Sequence, residues 1–260
     1  MKYKDFEGDI EDLVSSKLDE IEKKENIRIL HAVESGSRAW GFASPDSDYD
    51  VRFIYVRPKE DYLKLESIKD TIDWELDETL DINGWDIKKV LQHFYKSNAT
   101  VFEWANSPIV YRTTDEWKRI YEVGKTYFSC KSAMYHYYGT ANKTYNEYLN
   151  EDYVKYKKYF YALRPILAAK WIEQKHCPPP VLFQELVDSV LIEDMKEPVE
   201  KLVARKMKMA ESDKSKKLVR ISRYLLENIM YYKELLEGTI DDRFPEWEPL
   251  DKAFLQLLGL

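Results

Sequence analysis

The 260-residue sequence has only two cysteines, Cys130 and Cys177, and they do not form a CxxC pair. Neither a disulfide framework nor a cysteine-based zinc site is therefore expected. Its histidines also form no local metal-binding pattern such as HExxH, so we predict a structural role for each. The four histidines are His31, His93, His136 and His176.

No apolar run approaches the roughly 18 residues that a membrane-spanning helix needs. The first residues, MKYKDFEGDIEDL, are acidic and lack the apolar core of a signal peptide, so export is not expected. With 33% charged residues and a net charge of -7, the composition predicts a soluble, cytoplasmic protein without a membrane partner. The acidic balance also argues against strong non-specific binding to nucleic acid.

Glycine is scarce as well, with eight residues in the chain, and two of them, Gly36 and Gly41, lie in one distinctive segment. That segment, residues 34–56, reads ESGSRAWGFASPDSDYDVRFIYV. Asp48 and Asp50 stand two residues apart where an apolar strand begins, and residues two apart on a strand point to the same face. Two carboxylates that share a face are suited to a hard cation such as Mg²⁺.

The residues before this acidic pair have the properties of a phosphate site. Gly36 can adopt the backbone conformation needed for close approach to a phosphate. Ser37 and the neighbouring N–H groups can donate hydrogen bonds to its oxygens, and Arg38 adds a positive charge. The alternative is an ordinary acidic turn that leads into a strand, since Pro, Asp and Ser favour turns. The combination of Gly-Ser, Gly41 and the acidic pair favours a site for phosphoryl transfer.

The motif GSRAWGFASPDSDYDVRFIYV resembles the nucleotidyltransferase signature of the DNA polymerase β superfamily, in which Gly-Ser and a later glycine precede Ser-Asp-x-Asp and a hydrophobic strand. Ser47 and the two aspartates fill the Ser-Asp-x-Asp element, and the resemblance implies that Ser47 contributes to nucleotide binding. More narrowly, the chain is similar to predicted bacterial nucleotidyltransferases grouped as YcgL-like or RlaP-like, the second name reflecting a proposed link to RNA repair. Three later segments support this resemblance: DINGWDIKKVLQHFYKSNATVFEWANSPIVY, KKYFYALRPILAAKWI and PPPVLFQEL.

The resemblance implies a third carboxylate from a neighbouring strand, for which Asp81 and Asp86 are the candidates. Asp86 precedes IKKVLQHFYK, whose apolar residues have helical spacing, so we expect it to be the N-cap of a helix. Asp81 lies in the preceding extended run and is favoured as the partner of the aspartate pair. Lys89 is a further candidate for nucleotide binding, with Glu103 as the residue that orients it.

The periodicity predicts an α+β protein, with a mixed β-sheet and flanking helices in the N-terminal part and a C-terminal all-helical domain. The resemblance implies that the N-terminal part has the nucleotidyltransferase fold. Apolar residues at helical spacing predict a helix over residues 10–21, and IRILHAV and YDVRFIYV are typical of strands. Extended segments over residues 68–83 complete the sheet, and helical patterns dominate after Asp86. We place the catalytic domain at residues 1–110 and the helical, substrate-binding domain at residues 111–260.

Two features of the helical region are candidates for contact with nucleotide or nucleic acid. Arg164 lies in a tyrosine-rich apolar helix pattern, and a buried Arg usually has an anionic partner, so we predict that it binds nucleotide. Between Lys201 and Arg223, nine Lys or Arg residues stand against two acidic residues, Glu211 and Asp213. Such a stretch is usually a solvated helix face, and contact with nucleic acid is the alternative.

From these patterns and the resemblance we expect a metal-dependent nucleotidyltransferase that moves a nucleoside monophosphate from an NTP to a hydroxyl acceptor and releases pyrophosphate. Asp48, Asp50 and Asp81 would be the catalytic ligands of two Mg²⁺ ions, or of Mn²⁺, and Gly36 and Ser37 would hold the phosphates. RNA, protein and small molecules are all open as acceptors. A nucleotide-binding regulatory or antitoxin-like module with little turnover is the main alternative, and a phosphohydrolase is the third.

Overall fold

The computed structural model describes residues 8–44, 47–77, 79–208 and 214–260, without the side chains of residues 75–77. The described chain forms two compact units. The first contains the described parts of Met1–Ala39, Asp48–Tyr127 and Phe244–Leu260. The second contains those of Trp40–Ser47 and Phe128–Arg243. The basic stretch 201–223 belongs to this second unit, and its residues 209–213 lie outside the described residues.

The first unit is built on a five-stranded sheet in the order β3-β4-β2-β1-β5. The strands are β1 (Arg28–Glu34), β2 (Tyr49–Val56), β3 (Thr71–Asp77), β4 (Leu80–Asp86) and β5 (Val110–Thr113). β2 and β4 run parallel, whereas β1 pairs antiparallel with β2 and β5, and β3 pairs antiparallel with β4. This is the mixed sheet that the sequence predicts.

The helices of the first unit pack around this sheet. They are α1 (Ile10–Glu25), α2 (Gly36–Ala39), α3 (Lys59–Tyr62), α4 (Ile87–Tyr95), α5 (Ala99–Ala105), α6 (Asp115–Gly124) and α12 (Glu248–Leu258). The apolar stripe predicted for α1 is buried in one core with β1 and β2, through residues that include Leu18, Ile21 and Phe53. Asp9 caps the first turn of α1, and Asn26 ends the helix in the left-handed conformation.

The second unit is mostly helical. Its helices are α7 (Cys130–Tyr148), α8 (Tyr156–Lys175), α9 (Phe183–Val190), α10 (Glu193–Lys206) and α11 (Val219–Gly238). A two-stranded sheet of β6 (Tyr153–Lys155) and β7 (Lys214–Lys216) is the departure from the all-helical prediction. The apolar residues of α8 are almost completely buried, so this helix forms the centre of the unit. The α+β fold class is confirmed.

The first compact unit continues past residue 110, where we placed the boundary between the catalytic and the substrate-binding domain; that functional division stays a prediction. β5 pairs with β1, and α6 follows it in the same unit. The C-terminal residues also belong to the first unit. Trp247 stacks on Tyr95 with ring centroids 3.6 Å apart, and Phe254 packs edge-on against Tyr62. Among the described residues, none of the helices combines the length and apolar character that crossing a lipid bilayer would require.

Candidate active site

The turn between β1 and α2 brings the Gly-Ser motif against the acidic motif. Gly36 has a φ of +60°, a conformation that residues with a side chain rarely adopt. A Cβ atom at this position would overlap the Oδ2 atom of Asp50, so the carboxylate lies directly against the glycine backbone. The Ser35 N–H also donates to the Asp50 carbonyl at 2.8 Å. The two halves of the signature therefore form one local structure.

The register of β2 and β4 places a second carboxylate beside Asp50. Asp50 lies opposite Asp81 in this parallel pair. Between them lies the guanidinium of Arg52, whose Nη2 is 2.9 Å from Asp50 Oδ1 and 2.8 Å from Asp81 Oδ2. The side chain of Arg52 is 17% exposed, against 33% for Asp50 and 53% for Asp81. Two carboxylates thus converge on one positively charged atom at the start of two parallel strands.

Asp48 and Arg38 lie at the start of β2. Asp48 precedes the first residue of the strand and is exposed. Its carbonyl accepts a hydrogen bond of 3.1 Å from Arg38 Nε, and the guanidinium lies 3.6 Å from the ring centroid of Tyr49. The Arg38 guanidinium therefore lies next to the acidic motif. Ser37 follows Gly36 in α2 and is partly exposed.

Asp86, the alternative third carboxylate, has the capping position that the sequence predicts. It is the N-cap of α4 and accepts hydrogen bonds from Lys88 N–H at 2.8 Å and from the Tyr62 hydroxyl at 2.9 Å. Burial raises its pKa above the ordinary value. Asp86 pairs with Tyr55 in the register, five residues and about 16 Å along the strand from Asp81. The structure therefore places Asp81, and not Asp86, next to Asp50.

Glu34 is a component of the site that the sequence reasoning missed. It is the last residue of β1 and is only 1% exposed. One carboxylate oxygen accepts the Asp50 N–H at 2.8 Å, and the other accepts the Tyr111 hydroxyl at 2.6 Å. Burial raises the pKa of Glu34 to about 7, and the nearby Asp50 charge acts in the same direction. A charged residue that ends an apolar strand just before Gly-Ser was the available signal.

Glu34 is expected to make the folded state less stable as the pH rises. Because its folded pKa of about 7 exceeds the ordinary 4.5, the folded chain holds the proton more tightly, and stability falls between these values. In Glu34→Gln the amide can still accept from the Asp50 N–H. Urea unfolding should therefore show that the free energy of unfolding of Glu34→Gln, relative to that of wild type, increases as the pH is raised from 5 to 8. The increase should be at most about 3 kcal/mol. Glu116→Gln, at an exposed ion pair, is the control and should show no such gain.

The donor set around Asp50 is compatible with a divalent cation. The described residues contain no group of three or more His, Cys, Asp or Glu side chains arranged to hold one metal ion. Asp50 and Asp81 nevertheless converge on a single cationic nitrogen, and Mg²⁺ commonly uses one or two carboxylates together with water and substrate phosphates. The assignment of Asp48, Asp50 and Asp81 as metal ligands stays a prediction.

Lys89 is not brought together with Asp50 and Asp81. It lies on α4, beyond the far end of β4, where its Nζ is 3.1 Å from Asp70 Oδ1. It lines a pocket of about 330 Å³ together with Asp86. This pocket lies at the opposite end of the two parallel strands from the Gly-Ser turn. The position of Lys89 therefore does not support the prediction that it binds the nucleotide.

Two other predicted nucleotide-binding residues, Ser47 and Arg164, belong to the second unit. Ser47 Oγ accepts the Ser44 N–H at 3.0 Å, and the buried Lys206 donates to Ser44 Oγ at 2.7 Å. Arg164 is 2% exposed, its Nε donates to the Val181 carbonyl at 3.3 Å, and its guanidinium lies 4.7 Å from the Trp40 ring centroid. The burial of Arg164 agrees with the sequence pattern. A role for either residue in nucleotide binding stays a prediction.

Comparison with known proteins shows what the chain is similar to. The chain is 42% identical over 240 residues to "Uncharacterized protein YcgL" of Bacillus subtilis (strain 168), covering 90% of this chain and 92% of that protein. A solved structure of a nucleotidyltransferase-like protein from Exiguobacterium sibiricum 255-15 aligns over 96% of this chain and 80% of its own, with 12% identity and a TM-score of 0.30.

A sequence model of the family described as "RlaP: RNA repair pathway DNA polymerase beta family" matches residues 10–256. Polymerase β-like proteins are nucleotidyltransferases, that is, transferases that use a nucleoside triphosphate. Because the match includes the Gly-Ser turn, both parallel strands and the helical region, the chain belongs to this RNA repair pathway family of polymerase β-like proteins.

Proposed function

We propose that the protein transfers a nucleoside monophosphate from an NTP to a hydroxyl group of an acceptor and releases pyrophosphate. One observation carries the proposal: Asp50 lies against the Gly36 backbone, and it shares the guanidinium of Arg52 with Asp81 of the parallel strand. A glycine turn for phosphate next to a carboxylate pair is what such a transfer needs, because its catalysis depends on positioning and on neutralising the charge of the phosphates.

Each part of the site has a task in this reaction. Asp50 and Asp81, with Asp48, would hold two divalent cations, either Mg²⁺ or Mn²⁺, because both metals prefer carboxylate oxygens as ligands. When bound, these cations would neutralise charge on the triphosphate and lower the pKa of the acceptor hydroxyl. The backbone at Gly36 and the hydroxyl of Ser37 would bind the β- and γ-phosphates, and Arg38 would add positive charge beside them.

The balance of the reaction follows from in-line displacement. The acceptor oxygen forms a bond to the α-phosphorus, and the bond from that phosphorus to the oxygen bridging to the β-phosphate breaks. Pyrophosphate leaves with the electron pair of that bond. A carboxylate oxygen of Asp81, the more exposed of the converging pair, takes the proton of the acceptor hydroxyl. Glu34 acts indirectly, because its hydrogen bond to the Asp50 N–H fixes the start of β2.

RNA is the acceptor class that we favour, because the family description names an RNA repair pathway. The protein's net charge of -7 predicts that such binding depends on local contacts and not on the charge of the whole chain. Protein and small-molecule hydroxyl groups are the other acceptors that the same chemistry would serve.

The position of the radiolabel in an NTP distinguishes this function from its alternatives. Wild-type protein incubated with Mg²⁺, total RNA and total protein should transfer label from α-labelled NTP to a macromolecule. With γ-labelled NTP, the label should appear in pyrophosphate. A phosphohydrolase would instead release γ-label as inorganic phosphate, and a regulatory module would retain unchanged NTP. Digesting the labelled products with RNase or with protease after the incubation then identifies the acceptor class. Release of γ-label as inorganic phosphate, or retention of unchanged NTP, would contradict the proposal.

A further inference from the structure

Arg52 occupies the position between the two converging carboxylates. It follows Asp50 by two residues on β2, so both side chains are on the same face of the sheet. Besides its ion pairs with Asp50 and Asp81, its Nη1 donates to the carbonyls of Val51 at 3.0 Å and Asp81 at 3.2 Å. The guanidinium is therefore held by four hydrogen bonds from two neighbouring strands.

This position has an electrostatic cause. Asp50 and Asp81 are paired in the register of two parallel strands, where like charges repel each other. The guanidinium neutralises the pair and holds it with its planar array of donors. Without a cation between them, the two carboxylates would be driven apart.

A divalent cation cannot bind the two carboxylate oxygens that contact Arg52, Asp50 Oδ1 and Asp81 Oδ2, while the guanidinium stays in place. Mg²⁺ requires its oxygen ligands at about 2.0–2.1 Å. Nη2 lies 2.9 and 2.8 Å from the same carboxylates, so a cation that used these oxygens would occupy the space of the guanidinium. The arginine and the metal are therefore alternative occupants of one position.

We propose that Arg52 is an internal counter-ion that competes with the divalent cation for Asp50 and Asp81 and is displaced when the cation binds. The inference rests on the proposed function in assigning these two carboxylates to the metal. It adds that the protein neutralises its own metal site in the absence of the cation. Removing the guanidinium therefore strengthens binding of the cation, although it weakens the metal-free fold.

Arg112 provides a matched control within the same unit. Its guanidinium also bridges two carboxylates, at 2.6 Å from Asp19 and 3.0 Å from Glu22, and its side chain is 23% exposed. It lies on β5 and pairs with residues of α1, and in the sheet β5 is separated from β4 by β2 and β1. A general effect of removing a bridging arginine would therefore occur in Arg112→Met as well as in Arg52→Met.

The test measures Mn²⁺ binding to the full chain without nucleotide, by the loss of the free Mn²⁺ signal in electron paramagnetic resonance. Arg52→Met is expected to bind Mn²⁺ about tenfold more tightly than wild type, within the usual range for coupled sites. Arg112→Met should bind like wild type. In thermal unfolding, Arg52→Met should be less stable than wild type in EDTA and should gain more stability than either other protein when Mn²⁺ is added.

Arg52→Lys keeps the proposal testable if Arg52→Met does not fold. Lysine keeps the charge but not the planar array of donors, so its Mn²⁺ affinity should exceed that of wild type by a smaller factor. Equal or weaker binding by the Arg52 variants, with label transfer by wild type intact, overturns this proposal alone. The absence of Mn²⁺ binding from every variant overturns it too, and if wild type also transfers no label, the proposed function fails with it.

Discussion

Replacing Asp50 with Asn should reduce transfer of α-label by at least about 100-fold, the usual cost of removing one electrostatic group aligned with the reacting phosphate. Asp50 contacts both the Gly36 turn and the guanidinium between the strands, so its charge belongs to the centre of the site. Asn has nearly the same shape, and its amide oxygen can still accept a hydrogen bond from Arg52. The initial rate of label transfer to the identified acceptor is the measurement.

The fold should change little in this variant. The Asp50 to Arg52 pair is partly solvated, and such pairs contribute at most about 1 kcal/mol to stability. Asp86→Asn is the matched control, because Asn is as good an N-cap as Asp and position 86 lies at the other end of β4. Near-normal transfer by Asp50→Asn would refute the proposed site, and a comparable loss in both Asp50→Asn and Asp86→Asn would restore Asp86 as the third carboxylate.

The elements that the sequence predicts well are those determined by local patterns. Helix α1 follows from apolar residues at helical spacing, and Asp86 was identified as an N-cap because an apolar helical run begins directly after it. The strands β1 and β2 follow from short, continuous apolar runs. In each case the residues that specify the element are close together in the chain.

The parts of the fold that the sequence could not supply depend on distant partners. β5 has only four residues, with an exposed or partly exposed pattern, and is a strand because β1 is available to pair with it. The C-terminal α12 belongs to the first unit because Trp247, just before the helix, and Phe254, within it, pack against aromatic residues more than 100 positions earlier. Neither pairing leaves a periodic signal in the sequence.

The candidate site shows the same division. The proximity of Gly36 to the acidic motif is implied by one short signature, and Asp81 was favoured from its place in an extended run. The registers that bring Asp50 and Asp81 into contact with Arg52 were not predictable, because Arg52 reads as an ordinary polar residue in a half-buried strand. Glu34 was missed for a related reason: its hydrogen-bond partner Tyr111 comes from the edge strand β5, 77 residues later in the chain.

Replacing Gly36 with Ala is expected to damage both the fold and the reaction. A side chain at φ +60° introduces backbone strain of about 1–3 kcal/mol. The added Cβ would also overlap the Asp50 carboxylate, which must move away from Arg52 and Asp81. A displacement of about 1 Å at a reacting centre can cost about 100-fold in rate, so transfer of α-label should fall by about that factor. Urea unfolding and label transfer are the two measurements.

A double-mutant cycle separates the two causes. In an Asp50→Ala background the overlapping oxygen is absent, so adding Gly36→Ala should cost only the backbone strain and less stability than in wild type. Gly139→Ala is the control: a Cβ there meets nothing within 4 Å in helix α7, so stability should rise by up to about 1 kcal/mol. An equal cost of Gly36→Ala in both backgrounds would mean that the glycine serves the turn alone. A smaller loss of stability from Gly36→Ala in the Asp50→Ala background would establish that the Gly36 turn and the Asp50 carboxylate constrain each other's position. That mutual constraint is the physical basis of the site.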